Sequence, residues 1–326
     1  MALFDLPIER LRTYEPPREE PADFEEFWRR TLREVRAYDL DPVLTPQDTP
    51  LALMEVAEIH FSGFGGHRIG GWFIRPRDAG DAPLPCVVRY LGYTMGRGLP
   101  HQWLAYPSAG FATLVMDTRG QGGGSGVPGR TPDPAGGNTP EVPGFLTRGL
   151  SDPDTYYYRR VYADAVRAVE AAAALPGIDP ERIMVVAGSQ GGGVGLAVAG
   201  LVPEALRAVM LDVPSLCMFR RATEISNVGA RAEIAEYLRT HRRRVEEVFG
   251  VLSYFDGVNF AARATPPAWF SAALMDQVCP PSTIFAAYNH YAGPREMRVW
   301  PYNGHEGGGA EQEADNLELA RHLLMG

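Results

Sequence analysis

Val185-Val186-Ala187-Gly188-Ser189-Gln190-Gly191-Gly192 is the stretch whose reading decides the fold. The apolar run Ile183 to Val186 has the pattern of a buried strand. It ends in small residues and passes into a helix-compatible segment, Gly193 to Val202. A serine on such a strand-to-helix turn is the nucleophile elbow of an α/β-hydrolase. Its neighbours must be small, because the turn is tight and backbone packs on backbone. One position is off-pattern: Ala187 stands where Gly-x-Ser-x-Gly places its first glycine. The elbow still forms if φ at Ala187 is negative. The competing reading is an ordinary Gly-rich turn. A P-loop is excluded by the missing Lys-Ser/Thr pair, and Gly188-Ser189-Gln190-Gly191 does not meet a dinucleotide fingerprint.

Outward from the elbow, apolar runs alternate with helical periodicity. Met54–Phe61 and Ile69–Ile74 read as a hairpin. Pro85–Leu91 and Phe111–Met116 are two more strands, with Ala208–Val213, Pro267–Leu274 and Met297–Pro301 beyond the elbow strand. Helices are expected over Phe24–Tyr38, Thr155–Leu175, Pro281–Tyr291 and Glu311–Leu324. The expectation is one α/β-hydrolase domain over 1–326, with an eight-stranded, mostly parallel sheet and helices on both faces. Residues 1–50 read as an N-terminal arm with a packing helix, 122–150 as a long interface loop, and 215–258 as a helical insertion.

The 326 residues carry a net charge of −9 and have 45% hydrophobic content. That supports a large core and argues against a nucleic-acid partner, since no basic stripe is available for phosphates. The 31 basic residues are all arginine, which removes Schiff-base and Ser-Lys chemistry. Cys86, Cys217 and Cys279 are too few and too scattered for a disulfide framework or a zinc site. No cofactor or metal is expected. Met1-Ala2-Leu3-Phe4-Asp5 lacks the pattern of a secretory leader, and no apolar run has membrane-spanning length. A cytoplasmic protein without membrane contact is therefore expected.

A serine nucleophile of this fold needs an acid and then a histidine, in that chain order, at later strand ends. Asp276 follows the seventh strand and His305 the eighth. Asp212, at the end of the sixth, is the competing acid. His60, His67 and His101 precede the elbow, His290 and His322 lie within helices, and His241 lies in the insertion. His305-Glu306 is not a zinc motif, because Gly309 occupies the second histidine position. Ser189 is then the nucleophile, His305 the base, and Asp276 the group that fixes the imidazole. The oxyanion needs backbone N–H donors: Gln190, after the nucleophile, and Tyr93, in the loop after the third strand.

Further motifs carry a resemblance. Arg119-Gly120-Gln121, Gly188-Ser189-Gln190-Gly191-Gly192 and His305-Glu306 resemble the three signatures of carbohydrate esterase family seven, the acetyl xylan esterase and cephalosporin C deacetylase group. The likeness extends to Gly92-Tyr93 with Arg97-Gly98, to Asp154-Thr155-Tyr156-Tyr157-Tyr158-Arg159-Arg160, and to Asp276 with Cys279-Pro280-Pro281. It implies deacetylation of short acetylated xylo-oligosaccharides and of cephalosporin C. It also implies a ring-like intracellular homohexamer, a small acetylated substrate as partner, and site-supporting roles for Arg119, Gln121 and Glu306. The alternative is a short-chain carboxylesterase, peptidase or thioesterase with another natural substrate. Ala187 departs from the family pattern, and so do Thr94-Met95, where small residues are expected; Met95 is expected to reshape the acyl pocket.

Overall fold

The computed structural model describes residues 3–325. Among them, nine strands form one sheet: β1 Val43–Pro46, β2 Met54–Ser62, β3 Arg68–Pro76, β4 Leu84–Tyr90, β5 Ala112–Met116, β6 Ile178–Gly188, β7 Ala208–Asp212, β8 Ala268–Ala273 and β9 Arg295–Trp300. The helices are α1 Ile8–Leu11, α2 Phe24–Arg36, α3 Ala105–Ser108, α4 Tyr157–Ala174, α5 Gln190–Leu201, α6 Phe219–Ile225, α7 Arg231–Thr240, α8 Val245–Leu252, α9 Gly257–Ala261, α10 Pro281–His290 and α11 Gly309–Met325.

The sheet has nine strands where eight were expected. The extra one is β1, which lies inside the stretch read as an arm and pairs antiparallel with β2, Val43 opposite His60. It is short and ends in Pro46, which only an edge position tolerates. Spatial order is β1-β2-β3-β5-β4-β6-β7-β8-β9. β1, β2, β3 and β5 pair antiparallel in that order, and every pair from β5/β4 to β8/β9 is parallel.

This order locates the site. From β4 the chain goes to one side to form β5 and to the other to form β6. Loops leaving β4 and β6 therefore diverge and open a crevice at the carboxyl ends of the strands. From Ile183 to Ala187, β6 is buried on both faces, as a central parallel strand must be. Val185 and Ala187 join the larger core with α2, α4 and α5, whereas Met184 and Val186 pack with Tyr106, Phe111, Ala320 and Leu324 of the α3 and α11 side. α2 docks by Phe24, Phe27, Trp28 and Leu32, and the Trp28 indole donates to the Tyr254 carbonyl at 2.8 Å. The segment 215–258 contributes α6, α7 and α8 above the carboxyl edge.

Candidate active site

Ser189 directly follows β6, with φ 54° and ψ −124°, a conformation that L-residues rarely adopt. Such strain persists only where the surroundings over-determine it. Here the Ser189 amide donates to Asp212 O at 2.9 Å, and Ser189 O accepts from the Ser215 amide at 2.8 Å. Ala187 is absent from the positive-φ residues and lies in regular pairing between Tyr90 and Leu211, so the alanine fits the elbow. The glycines after the serine are steric necessities. A Cβ on Gly191 would lie 2.3 Å from Tyr90 O, and one on Gly193 2.3 Å from Ser215 O.

Asp276 follows β8 and His305 follows β9, adjacent strands whose ends converge on the elbow. His305 Nε2 lies 2.9 Å from Ser189 Oγ, and its Nδ1 lies 2.9 Å from Asp276 Oδ2. Asp276 is fully buried, and its Oδ1 accepts from the amides of Val278 and Cys279 at 2.8 and 2.9 Å. Two backbone donors thus fix the carboxyl, and Oδ2 is left to hold the imidazole proton on Nδ1. Nε2 then faces the serine as acceptor. Burial disfavours the imidazolium, but Asp276 and the Cys279 sulfur outweigh it and hold the His305 pKa above its ordinary value. Asp212 does not meet the histidine. Its carboxyl accepts from Ser271 Oγ at 3.0 Å and Asn316 Nδ2 at 2.7 Å, and burial pushes it up to about 6.

The loop after β4 is tied to the elbow by two buried amides. Gln190 Nε2 donates to Leu91 O at 3.2 Å, and its Oε1 accepts from Tyr158 Oη at 2.7 Å and Gln121 Nε2 at 2.8 Å. Gln121 Oε1 accepts from the Thr94 amide at 2.7 Å. Among the described residues, the amides of Tyr93 and Gln190 find no acceptor within the protein. Two unpaired donors beside a nucleophile can receive a developing oxyanion. Met95 is half-buried and packs against the cluster of Val56, Trp72, Ile74, Leu91 and Val115 beside the loop after β4.

Arg119 lies deeper. It is 1% exposed and grips Asp164 of α4 through two hydrogen bonds, Nε at 2.5 Å and Nη2 at 2.7 Å. Asp133 lies 3.5 Å from it. The Arg119 carbonyl accepts from Tyr157 Oη at 2.5 Å, which links this ion pair to Gln121. Glu306 turns back on its own loop and accepts from the Gly304 amide at 3.0 Å. In the sequence, Tyr157 and Tyr158 stood only within the resembling run 154–160, with no role given to either, and Asp164 and Glu233 were not singled out. The run Tyr156-Tyr157-Tyr158, which opens the helix preceding the elbow strand, was the signal for the first two; nothing local marks the others. Asp276, Cys279 and His305 also offer metal-ligand atoms within 4.8 Å of one another. A cation there would take the nitrogen that Asp276 now orients.

The acetyl xylan esterase family model matches residues 1–323. An acetyl xylan esterase from Paenibacillus sp. R4 has a TM-score of 0.91 and 37% identity, covering 98% of this chain and 100% of that one. Another, from Thermoanaerobacterium sp. JW/SL YS485, has a TM-score of 0.86 and 35% identity, covering 97% and 99%. An acetyl esterase from Xylanibacter ruminicola is 28% identical over 309 residues, or 89% of this chain. The chain spans 64% of the length of that relative. With a match across almost its whole length and the α/β-hydrolase fold beneath it, the chain belongs to the acetyl xylan esterase family and is a carboxylic ester hydrolase.

Proposed function

We propose that the chain removes acetyl groups from small acetylated carbohydrates by Ser-His-Asp acyl-enzyme catalysis. The observation that carries this reading is the unbroken hydrogen-bond line from Ser189 Oγ through His305 to Asp276, 2.9 Å at each step. Ser189 Oγ attacks the acetyl carbonyl while His305 Nε2 takes its proton. The ester C–O bond breaks, and the same nitrogen returns the proton to the leaving alcohol. Water then repeats the sequence on the acetyl-enzyme and releases acetate. The amides of Tyr93 and Gln190 receive the oxyanion, each worth about 3–4 kcal/mol. Arg119 and Gln121 support the site by holding the loops that carry those amides, and Glu306 supports it by setting the turn on which His305 rides.

The likeness to acetyl xylan esterases supports acetylated xylan fragments, short xylo-oligosaccharides among them, as substrate, and the resemblance adds cephalosporin C. We read the chain as one catalytic unit, with 122–150 and 215–258 as pocket walls and subunit contacts, in a cytoplasmic homohexamer. No helix among the described residues is long and apolar enough to cross a membrane. The deciding experiment is Ser189→Ala assayed with p-nitrophenyl acetate and acetylated xylo-oligosaccharides. Turnover is expected to fall by about 10⁴-fold or more with an unchanged melting curve. Undiminished turnover overturns the proposal.

A further inference from the structure

Tyr93 carries one of the two free amides, and its side chain is held from 140 residues away. Tyr93 Oη donates to Glu233 Oε1 at 2.5 Å. Glu233 lies in the first turn of α7, in the helical segment above the sheet edge. Its Oε1 also accepts from the Gly144 amide at 3.1 Å, and its Oε2 from the Leu146 amide at 3.1 Å. Tyr93 Oη in turn accepts from the Phe145 amide at 3.0 Å, and the Tyr93 ring meets Phe145 edge-on at 5.7 Å. One carboxylate therefore gathers the loop after β4, the turn at 144–146 and α7. Burial, with Glu233 beside it, raises the Tyr93 phenol well above its usual range, so the phenol remains the donor.

The geometry points to Glu233 as a positioning residue for ester hydrolysis: through Tyr93 Oη it sets where the Tyr93 amide points. This inference rests on the esterase reading above. The turn 92–95 is closed by Met95 N to Gly92 O at 3.1 Å, and Thr94 is in the left-handed region at φ 67°. Gln190 and Gln121 fix the two sides of that turn, at Leu91 O and at the Thr94 amide. The Tyr93 peptide lies between them, and its third anchor is its own ring, pinned at the far end by Glu233. Releasing the ring frees one of the two peptides whose N–H must meet an oxyanion that exists only in the transition state. Interactions made only there affect kcat rather than KM.

The test compares wild type, Ser189→Ala, Tyr93→Phe and Glu233→Gln on the same acetyl ester, with a melting curve for each. Tyr93→Phe is the sharper variant, because Glu233 keeps its bonds to Gly144 and Leu146, and the losses are confined to the phenol's own bonds: its donation to Glu233 and what it accepts from the Gly144 and Phe145 amides. Both variants are expected to lose roughly ten- to a hundredfold in kcat with little change in KM. They should weaken inhibition by an alkyl boronate, which forms a tetrahedral serine adduct, by a similar factor. The double variant should be no worse than either single one, since the two side chains act as one unit. If Glu233→Gln does not fold, Tyr93→Phe alone decides. Wild-type kcat in Tyr93→Phe overturns the inference, as does a loss confined to KM with boronate inhibition unchanged. If Ser189→Ala is fully active, the esterase reading itself falls; an inactive Ser189→Ala beside an unimpaired Tyr93→Phe removes only the role of Glu233.

Discussion

Replacing Arg119 by methionine keeps the length of the side-chain stem and removes its charge. In the native protein the guanidinium meets Asp164 through two short bonds, and both groups are about 1% exposed. Asp133 would not be stranded, because Arg160 holds it at 2.7 Å and 3.2 Å. Asp164 would retain only the Phe64 amide at 2.8 Å. One buried carboxylate thus loses its counter-charge, a loss that costs about 3–5 kcal/mol. Arg119→Met should therefore melt about 5–15 °C lower at neutral pH. The sign with pH follows from linkage. Burial already raises the Asp164 pKa above 3.8, with Arg119 the main opposing influence. Without Arg119, the folded-state value rises further above the unfolded one. The deficit is then smallest at acid pH, where the carboxyl is protonated in both states, and grows as pH climbs through the raised value. Urea unfolding of wild type, Arg119→Met and Arg119→Met/Asp164→Asn at pH 5 and pH 8 measures this. The double variant should recover most of the loss, because neither charge remains. A loss under about 1 kcal/mol at pH 8, or one independent of pH, refutes the reasoning.

Three other outcomes are expected at the site. His305 must be neutral to accept the serine proton, and its pKa is held above the ordinary 6.5, so the ascending limb of kcat/KM against pH should lie above 6.5; Asp276→Asn should move that limb down and lower kcat by roughly 10⁴-fold. Gly191→Ala places a methyl 2.3 Å from Tyr90 O and should part the loop after β4 from the elbow, with kcat falling and thermal stability dropping together in a paired assay and melt.

The chain order of Ser189, Asp276 and His305 was legible because each sits just past an apolar run, and strand ends are where this fold exposes side chains. The same logic found the loop after β4. β1 was missed because Val43-Leu44-Thr45-Pro46 is four residues with a proline, too short for a period-two pattern. The start of β6 was missed for a related reason. Ile178-Asp179-Pro180-Glu181-Arg182 alternates poorly and pairs through a register shift between Leu84 and Cys86. Glu233 and Asp164 were out of reach for another reason: a carboxylate on a helix looks solvated until the fold brings a distant phenol or guanidinium to it.

The nucleophile and its base sit on very different parts of the sheet. Ser189 follows β6, which has a parallel neighbour on each side, whereas His305 follows β9, an edge strand, which is bonded only to β8 and partly exposed along its length. Strands held on one side open more readily than those held on both. Fraying of that last strand would detach the base while the sheet beneath the serine remained closed. The upper temperature for turnover is then set by one edge of the molecule, and hydrogen exchange across Arg295–Trp300 would track loss of activity more closely than exchange across Ile178–Gly188.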